Sequence, residues 1–292
     1  MIRNSLDLSE KIDSFIVDLF DSIANIAGSL DIPFFIIGAI ARDMILTDFY
    51  GIHTARKSND IDIGVSVSDW DQYTKLREAL IATRDLEPTT EGRQRLKYKG
   101  SLRIDLIPFG AISNPNHSFS WPPEHQIVMN TLGFEESYDN SLVVRMREEP
   151  LLEINVATLA GLVLLKIISW KDKYPERTRD AKDLKLIIRY YLDAGNSDRL
   201  FEEELDVIDD LKQRGEADYM KAGARLLGRD LVAISNPKTI KRLIEILDEE
   251  TGDRDRYVLA EDMIDDRSAF SAEFEENLEL LEELRSGILE RL

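Results

Sequence analysis

The sequence predicts an α+β protein in which strands and helices share the N-terminal half and a mainly helical region follows. In the first half, short apolar runs bounded by glycine or polar residues precede amphipathic segments, a pattern typical of strands followed by helices. From Thr158 onward, apolar residues instead recur at helical spacing. We therefore expect a core with an N-terminal helix over residues 1–150 and a helical domain over residues 151–292.

The first predicted element is an amphipathic helix over residues 7–29, in which Asp7 and Glu10 have the spacing of a capping box. The apolar segment "PFFIIG" (33–38) predicts a short strand. The segment that follows it, "AIARDMILTDFYG", predicts a helix that ends at Gly51.

A second strand, "DIDIGVSV" (60–67), is followed by a predicted helix with Ser68 as its N-cap. Residues 94–110, "QRLKYKGSLRIDLIPFG", predict a hairpin that turns near Lys99 and Gly100.

Residues 111–150 look irregular, apart from a strand pair towards their end. Two strong helical patterns follow, at 158–173 and at 178–195, the second ended by Gly195. The remainder, 196–292, is acidic and helical in pattern, and its apolar stripes are typical of core-facing helices.

Composition excludes several classes of site. The 292 residues include no cysteine and only three histidines, which argues against disulfides, thiolate sites and histidine-rich zinc sites. The N-terminus lacks an apolar signal core, and no apolar run approaches the length of a membrane span. We therefore expect a cytoplasmic protein with no membrane contact.

The formal net charge of −19 disfavours avid nonspecific binding of nucleic acid, because an acidic surface repels phosphates. It leaves room for a nucleotide site neutralised by metal ions, for a basic partner protein or for a cationic small substrate. Such a charge also simply keeps many proteins soluble.

The segment "SNDIDIGV" (58–65) places two aspartates on one face of a predicted strand. Strand side chains alternate, so Asp60 and Asp62 share a face while Ile61 and Ile63 share the other. Two adjacent carboxylates repel each other, so this arrangement favours a cation between them.

Asp105 joins this pair if its strand lies beside the 60–65 strand, because Leu102, Ile104 and Leu106 would face the other way. Three carboxylates on two adjacent strands can hold a pair of hard divalent cations, which suits phosphoryl-type transfer. The structural alternative stays open. In it Asp60 lies at a strand edge, Asp62 is solvent-exposed, and Asp105 pairs with Arg103 or a lysine.

A strand, a glycine turn and a helix precede the aspartates in "FFIIGAIARD". Gly38 allows close backbone approach, and the first turn of the next helix offers amides to an anion such as a triphosphate. For Arg42 we favour a structural role, holding that helix and the aspartate strand together. Ser58 and Asn59 either touch a phosphate or end the loop. Lys166 interrupts an apolar helix, where it either neutralises phosphates or snorkels to the surface.

Taken in order, these motifs resemble the nucleotidyltransferase fold of the DNA polymerase β superfamily, and more specifically the bacterial AbiEii/AbiGii-type nucleotidyltransferases. The segment "LAGLVLLKIISWKDKYPERTRDAKDL" supplies a helix lysine and then a helix that begins with an Arg-Asp-x-x-Asp-Leu element. The resemblance covers about residues 30–195. The residues that carry it are Gly38-Ala39, Arg42-Asp43, Asp60, Asp62, Asp105, Lys166, Arg179-Asp180 and Asp183-Leu184.

The resemblance implies a mixed sheet with flanking helices, and transfer of a nucleoside monophosphate from an NTP with magnesium, at a site expected to hold two ions. It implies that Asp60, Asp62 and Asp105 are catalytic metal ligands and that Asp105 is a candidate base for the acceptor hydroxyl. The helical domain would contribute to the active cleft. The nucleotide-binding residues that the sequence and the resemblance predict are Gly38, Ala39, Arg42, Ser58, Lys166, Asp180 and Asp183. Ala39 replaces the serine or second glycine of many members, which removes a hydroxyl contact to phosphate but keeps the backbone donors.

Three functions are compatible with these residues. The first is an active nucleotidyltransferase acting on tRNA, a toxin of a toxin–antitoxin or phage-defence pair with an antitoxin-like protein partner. The second is a transferase for a small hydroxylated molecule such as an aminoglycoside, which the acidic balance suits better than RNA. The third is a non-catalytic binding or regulatory protein, against which the three carboxylates argue.

Overall fold

A computed structural model describes residues 5–53, 60–216, 218–252 and 257–292. The chain forms two compact units, which divide between Thr158 and Leu159. The N-terminal unit contains the sheet, and the C-terminal unit is helical. The predicted α+β fold class is confirmed.

The N-terminal unit is built on a mixed sheet of eight strands in the spatial order β1-β9-β10-β2-β3-β6-β5-β4. The pairs β1/β9, β10/β2 and β3/β6 are parallel, and the remaining pairs are antiparallel. A separate pair is formed by β7 and β8. The strand bounds are β1 Ser5–Asp7, β2 Phe34–Ile37, β3 Asp60–Ser66, β4 Leu86–Pro88, β5 Arg95–Tyr98, β6 Leu102–Phe109, β7 Ser118–Ser120, β8 Val128–Asn130, β9 Leu142–Arg147 and β10 Leu152–Val156.

Helices flank this sheet. Helix α2 continues into a π-helical turn, Met44–Phe49, and the helical segment ends just before Gly51, as the sequence predicts. The helix bounds are α1 Ser14–Ser29, α2 Gly38–Asp43, α3 Trp70–Ala82 and α4 Phe134–Asp139.

The predicted start of the first helix is wrong. Residues Ser5–Asp7 form β1, whose partner is β9 far along the chain. Helix α1 begins only at Ser14, because Asp13 accepts the Phe15 amide proton at 2.8 Å and caps the helix there.

The predicted cap of the next helix is also corrected. The Asp69 carboxylate accepts the Gln72 amide proton at 2.8 Å and caps α3, while the Ser68 hydroxyl donates to Asp69 instead. The predicted hairpin of β5 and β6 is confirmed. Three residues separate the paired residues Tyr98 and Leu102, and two of them, Lys99 and Gly100, adopt positive φ angles.

The C-terminal unit begins with helix α5, in which residues 162–164, 167 and 168 are all buried. Within the described residues, no helix has both the length and the apolar composition needed to cross a bilayer. The helix bounds are α5 Leu159–Lys173, α6 Arg179–Arg189, α7 Ser197–Glu202, α8 Leu205–Gln213, α9 Tyr219–Ile234, α10 Pro237–Thr251, α11 Val258–Asp262 and α12 Phe270–Leu289, with a π-helical turn at Leu192–Asn196 and a 3-10 turn at Arg267–Ala269.

Candidate active site

Strand β3 turns its two aspartates away from the core. Ile61 and Ile63 are buried, whereas Asp60 and Asp62 are partly exposed on the opposite face. Asp62 lies directly opposite Asp105, because β3 and β6 are parallel neighbours in that register. The predicted neighbourhood of the two strands is therefore confirmed.

Cross-strand pairing extends these positions into two rows of charged residues. Asp62 faces Asp105, which in turn faces Arg95 on β5. Two residues along each strand, Asp60 faces Arg103, which faces Lys97 on β5. We call Asp60, Asp62, Asp105, Arg95 and Arg103 the carboxylate face.

Arg95 forms a bidentate ion pair with Asp105. Its Nε donates to Oδ1 at 2.8 Å and its second terminal nitrogen to Oδ2 at 2.7 Å. These hydrogen bonds raise the pKa of Arg95 above its already high ordinary value, so the guanidinium stays charged. The fork fixes the orientation of the Asp105 carboxylate and offsets the repulsion between two carboxylates placed opposite each other.

A second arginine contacts Asp60. The Arg103 Nε lies 2.6 Å from Asp60 Oδ1, and the Arg103 side chain is 43% exposed. Glu91 accepts a hydrogen bond from Arg95 at 2.8 Å, and this bond lowers the pKa of the exposed Glu91 carboxyl. The alternative in which Asp105 pairs with Arg103 or a lysine is wrong, because Asp105 pairs with Arg95.

Sequence reasoning did not single out Arg95, and it named Arg103 only as an alternative partner of Asp105. A signal for them is present, because "RLKY" and "LRID" alternate charged and apolar residues as two-faced strands do. The paired strands put the charges of both segments on the face that carries Asp105.

Gly38 brings the end of β2 against the aspartate strand. Its φ is +72°, a conformation that favours glycine, and a Cβ at this position would collide with Asp62 Oδ2. Ile37 is the register partner of Asp62, so the first turn of α2, which includes Ala39, begins beside that carboxylate. The close approach predicted for Gly38 is therefore present.

Arg42 is fully buried, and two of its nitrogens donate to Asp43 Oδ1 at 2.9 and 2.6 Å. Helix α2 packs against β3, but these hydrogen bonds lie within α2, so the role of Arg42 in holding the helix to the aspartate strand stays a prediction. Contact of Arg42 with a nucleotide remains a prediction. Ser58 and Asn59 lie outside the described residues.

Within the C-terminal unit, Lys166 meets the two predicted aspartates. Its Nζ donates to Asp183 at 2.6 Å and to Asp180 at 3.4 Å, joining α5 to α6. The side chains of Lys166, Asp180 and Asp183 are 9%, 12% and 10% exposed. The alternative in which Lys166 snorkels to the surface is therefore wrong, because its ammonium is held inside by carboxylates. Asp180 also lies in the first turn of α6, as predicted.

Asp62 and Asp105 supply the oxygen donors that hard divalent cations prefer, from directly opposed positions. Asp60 adds a third carboxylate on the same face, turned towards Arg103. No group of three acidic, histidine or cysteine side chains is gathered for a metal ion among the described residues. The donor chemistry of the Asp62–Asp105 pair fits a divalent cation, and Asp60 would have to turn from Arg103 to join it.

Replacing Gly38 with alanine tests the contact with Asp62. Gly51→Ala is the matched control, because Gly51 has nearly the same φ, +71°, but open space around a Cβ. We expect Gly51→Ala to lower the free energy of unfolding by about 1–2 kcal/mol from backbone strain alone. Gly38→Ala should cost at least about 1 kcal/mol more, because Asp62 must move. Urea unfolding measures both, and equal losses would contradict the close contact.

Replacing Lys166 with methionine leaves two buried carboxylates without their ammonium partner. We expect the free energy of unfolding to fall by about 3–5 kcal/mol. The matched control is Lys182→Met on α6, the helix that carries Asp180 and Asp183, since Lys182 is 45% exposed and pairs at 3.7 Å with an exposed aspartate. That change should cost less than about 0.5 kcal/mol. A Lys166→Met loss no larger than the control would contradict the buried cluster.

Comparison with solved structures gives several similar nucleotidyltransferases. An antigenic nucleotidyltransferase-like protein from Paracoccidioides brasiliensis is 14% identical over 70% of this chain and 94% of its own, with a TM-score of 0.39. The antibiotic-resistance factor ANT(2″)-Ia, in solution, is 12% identical over 70% of this chain and 100% of its own, with a TM-score of 0.35. The CCA-adding enzyme of Thermotoga maritima, complexed with tRNA, is 16% identical over 92% of this chain and 67% of its own, with a TM-score of 0.35. No curated protein matches the sequence.

A family model described as "Nucleotidyl transferase AbiEii toxin, Type IV TA system" matches residues 44–283. The match includes the three aspartates, Lys166 and the start of α6, and it begins after Gly38, Ala39 and Arg42. It spans most of the chain and confirms both the family resemblance and the expectation of a nucleotidyltransferase enzyme. The chain belongs to the AbiEii nucleotidyl transferase toxin family.

Proposed function

We propose that the protein uses divalent magnesium to transfer a nucleoside monophosphate from an NTP to a hydroxyl group of an acceptor. The observation that carries this proposal is the direct opposition of Asp62 and Asp105 on parallel strands, with the Gly38 backbone against Asp62. Arg95 offsets the charge of one of the two opposed carboxylates, which leaves negative charge to attract a divalent cation, and the first-turn amides of α2 next to Gly38 are donors suited to a phosphate.

Asp60, Asp62 and Asp105 would hold two magnesium ions. When bound, the ions lower the pKa of the attacking hydroxyl and neutralise the leaving pyrophosphate. In the transfer, the acceptor oxygen bonds to the α-phosphorus, the bond from that phosphorus to the pyrophosphate oxygen breaks, and the hydroxyl proton goes to Asp105. Asp105 keeps lone pairs for this role, because the Arg95 fork uses one on each carboxylate oxygen.

Gly38 and Ala39 would form the phosphate-binding turn, since first-turn amides lack partners within their helix. Lys166 would neutralise the phosphates of the nucleotide. An ammonium has three donors, and Asp180 and Asp183 accept two of them. One of these aspartates would complete the site. Arg42 and Ser58 remain predicted nucleotide-binding residues, Arg42 acting by holding α2 in place.

For the acceptor we propose tRNA, with the protein acting as the toxin of a pair whose antitoxin-like partner is a protein. The family description supports the toxin role and the existence of such a pair. The second candidate is a small cationic acceptor such as an aminoglycoside, which the net charge of −19 favours.

A labelling assay tests the proposed chemistry. Purified protein receives magnesium and each α-labelled NTP in turn, with total tRNA or with an aminoglycoside panel. We expect label transfer that falls roughly a hundredfold or more in Asp62→Asn and in Asp105→Asn, because each change removes a metal ligand. Glu78→Gln, an exposed acid on α3, is the matched control and should transfer label as the unmodified protein does.

Transfer to tRNA or to an aminoglycoside identifies the acceptor class. Transfer that persists in both aspartate variants would contradict the proposed site. Absence of transfer to every acceptor, together with absence of magnesium-dependent NTP binding, would contradict the proposed function.

A further inference from the structure

The hairpin of β5 and β6 carries a local concentration of positive charge. The segment "RQRLKYKGSLR" (93–103) contains five arginines and lysines and no acidic residue, in a chain whose net charge is −19. A polyanion repelled by the molecule as a whole can bind where cations are concentrated.

The five cations divide into two groups. Arg95 and Arg103 turn to Asp105 and Asp60. Arg93, Lys97 and Lys99 are exposed, and within the described part of the chain none of them forms an ion pair with an acid. We call these three residues the hairpin cations. They can neutralise an external anion without breaking a contact of the carboxylate face.

The strand register places Lys97 close to the carboxylate face, and Arg93 lies two residues before Arg95 along the chain. Lys97 is the partner of Arg103, which is the partner of Asp60. Two strand spacings, roughly 10 Å, therefore separate the backbones of β3 and β5. Lys99 lies at the turn that ends the same strand.

A groove of about 790 Å³ lies alongside, lined by Lys97, Arg103, Ser101 and residues of α1. Its two acids are already engaged. Asp13 caps α1, and Glu91 pairs with Arg95. Lys97 forms no ion pair with an acid among the described residues, so of the charged groups that line the groove it is the one open to a phosphate.

We propose that the hairpin cations Arg93, Lys97 and Lys99 bind backbone phosphates of an RNA acceptor and thereby hold its reacting end near Asp105. This inference rests on the proposed function, because it places the acceptor beside that centre. The hairpin cations would favour a phosphate-bearing acceptor over a cationic one.

The test is equilibrium binding of total tRNA to the full chain at several salt concentrations. The variant is Arg93→Ser/Lys97→Ser/Lys99→Asn, with asparagine at 99 because this position has a φ of +43°. The matched control removes three exposed lysines elsewhere, in Lys75→Ser/Lys212→Ser/Lys241→Ser, and changes the net charge equally.

We expect the hairpin variant to bind tRNA at least about tenfold more weakly, and the slope of log K against log salt to become shallower by about 2–3. The control should keep the slope of the unmodified protein. If the triple variant does not fold, Lys97→Ser alone should make the slope shallower by about 0.7–0.9. Equal weakening in variant and control, or unchanged binding in the hairpin variant, would overturn the inference.

These outcomes are distinguishable from failure of the proposed function. The binding assay needs no turnover, whereas the proposed function fails if the unmodified protein transfers no label from any NTP. Hairpin-dependent tRNA binding without any transfer would support the surface and contradict the chemistry.

Discussion

The repulsion between Asp62 and Asp105 is the constraint on which the carboxylate face depends. Parallel pairing of β3 with β6 sets the two carboxylates directly opposite each other, a destabilising arrangement unless positive charge lies beside them. The hairpin supplies that charge through Arg95, whose fork also fixes the orientation of Asp105. The same hairpin turns its remaining cations to solvent. One short antiparallel element therefore both stabilises the carboxylates and offers a binding surface for phosphates.

In the helical unit, a buried lysine offsets the repulsion between two neighbouring carboxylates. Lys166 lies in the most apolar helix of its unit, and Asp183 and Asp180 hold its ammonium there. A buried ion pair contributes little net stability compared with apolar residues, but it is costly to break because it leaves an unpaired charge inside. The cluster fixes α6 against α5, and with it the Asp-x-x-Asp element that the family match includes. This rigidity suits residues proposed to complete a nucleotide site.

Strand periodicity was enough to place Asp60 and Asp62 on one face and to turn Asp105 away from the apolar face of its own strand, but the pairing of the two strands entered only as a condition. The lack of a side chain at Gly38 was enough to predict a close backbone approach there. The start of α1 could not be predicted locally, because Ser5–Asp7 pairs with a strand more than a hundred residues away. The partners of Asp60 and Asp105 depend on strand register and on side-chain rotamers, neither of which a single sequence specifies. The ion pairs of Lys166 with Asp180 and Asp183 could not be predicted for the same reason, although the family motif includes all three residues.

The most direct test of the central claim is Mn²⁺ binding followed by electron paramagnetic resonance, with a non-hydrolysable NTP analogue present. Mn²⁺ accepts the same oxygen ligands as Mg²⁺ and reports binding without any transfer reaction. If Asp62 and Asp105 hold the metal, the unmodified protein and Glu78→Gln bind Mn²⁺ alike, and Asp62→Asn and Asp105→Asn each bind it at least about tenfold more weakly. Unchanged Mn²⁺ affinity in both aspartate variants would contradict the account, since the opposed carboxylates would then have no part in holding the metal.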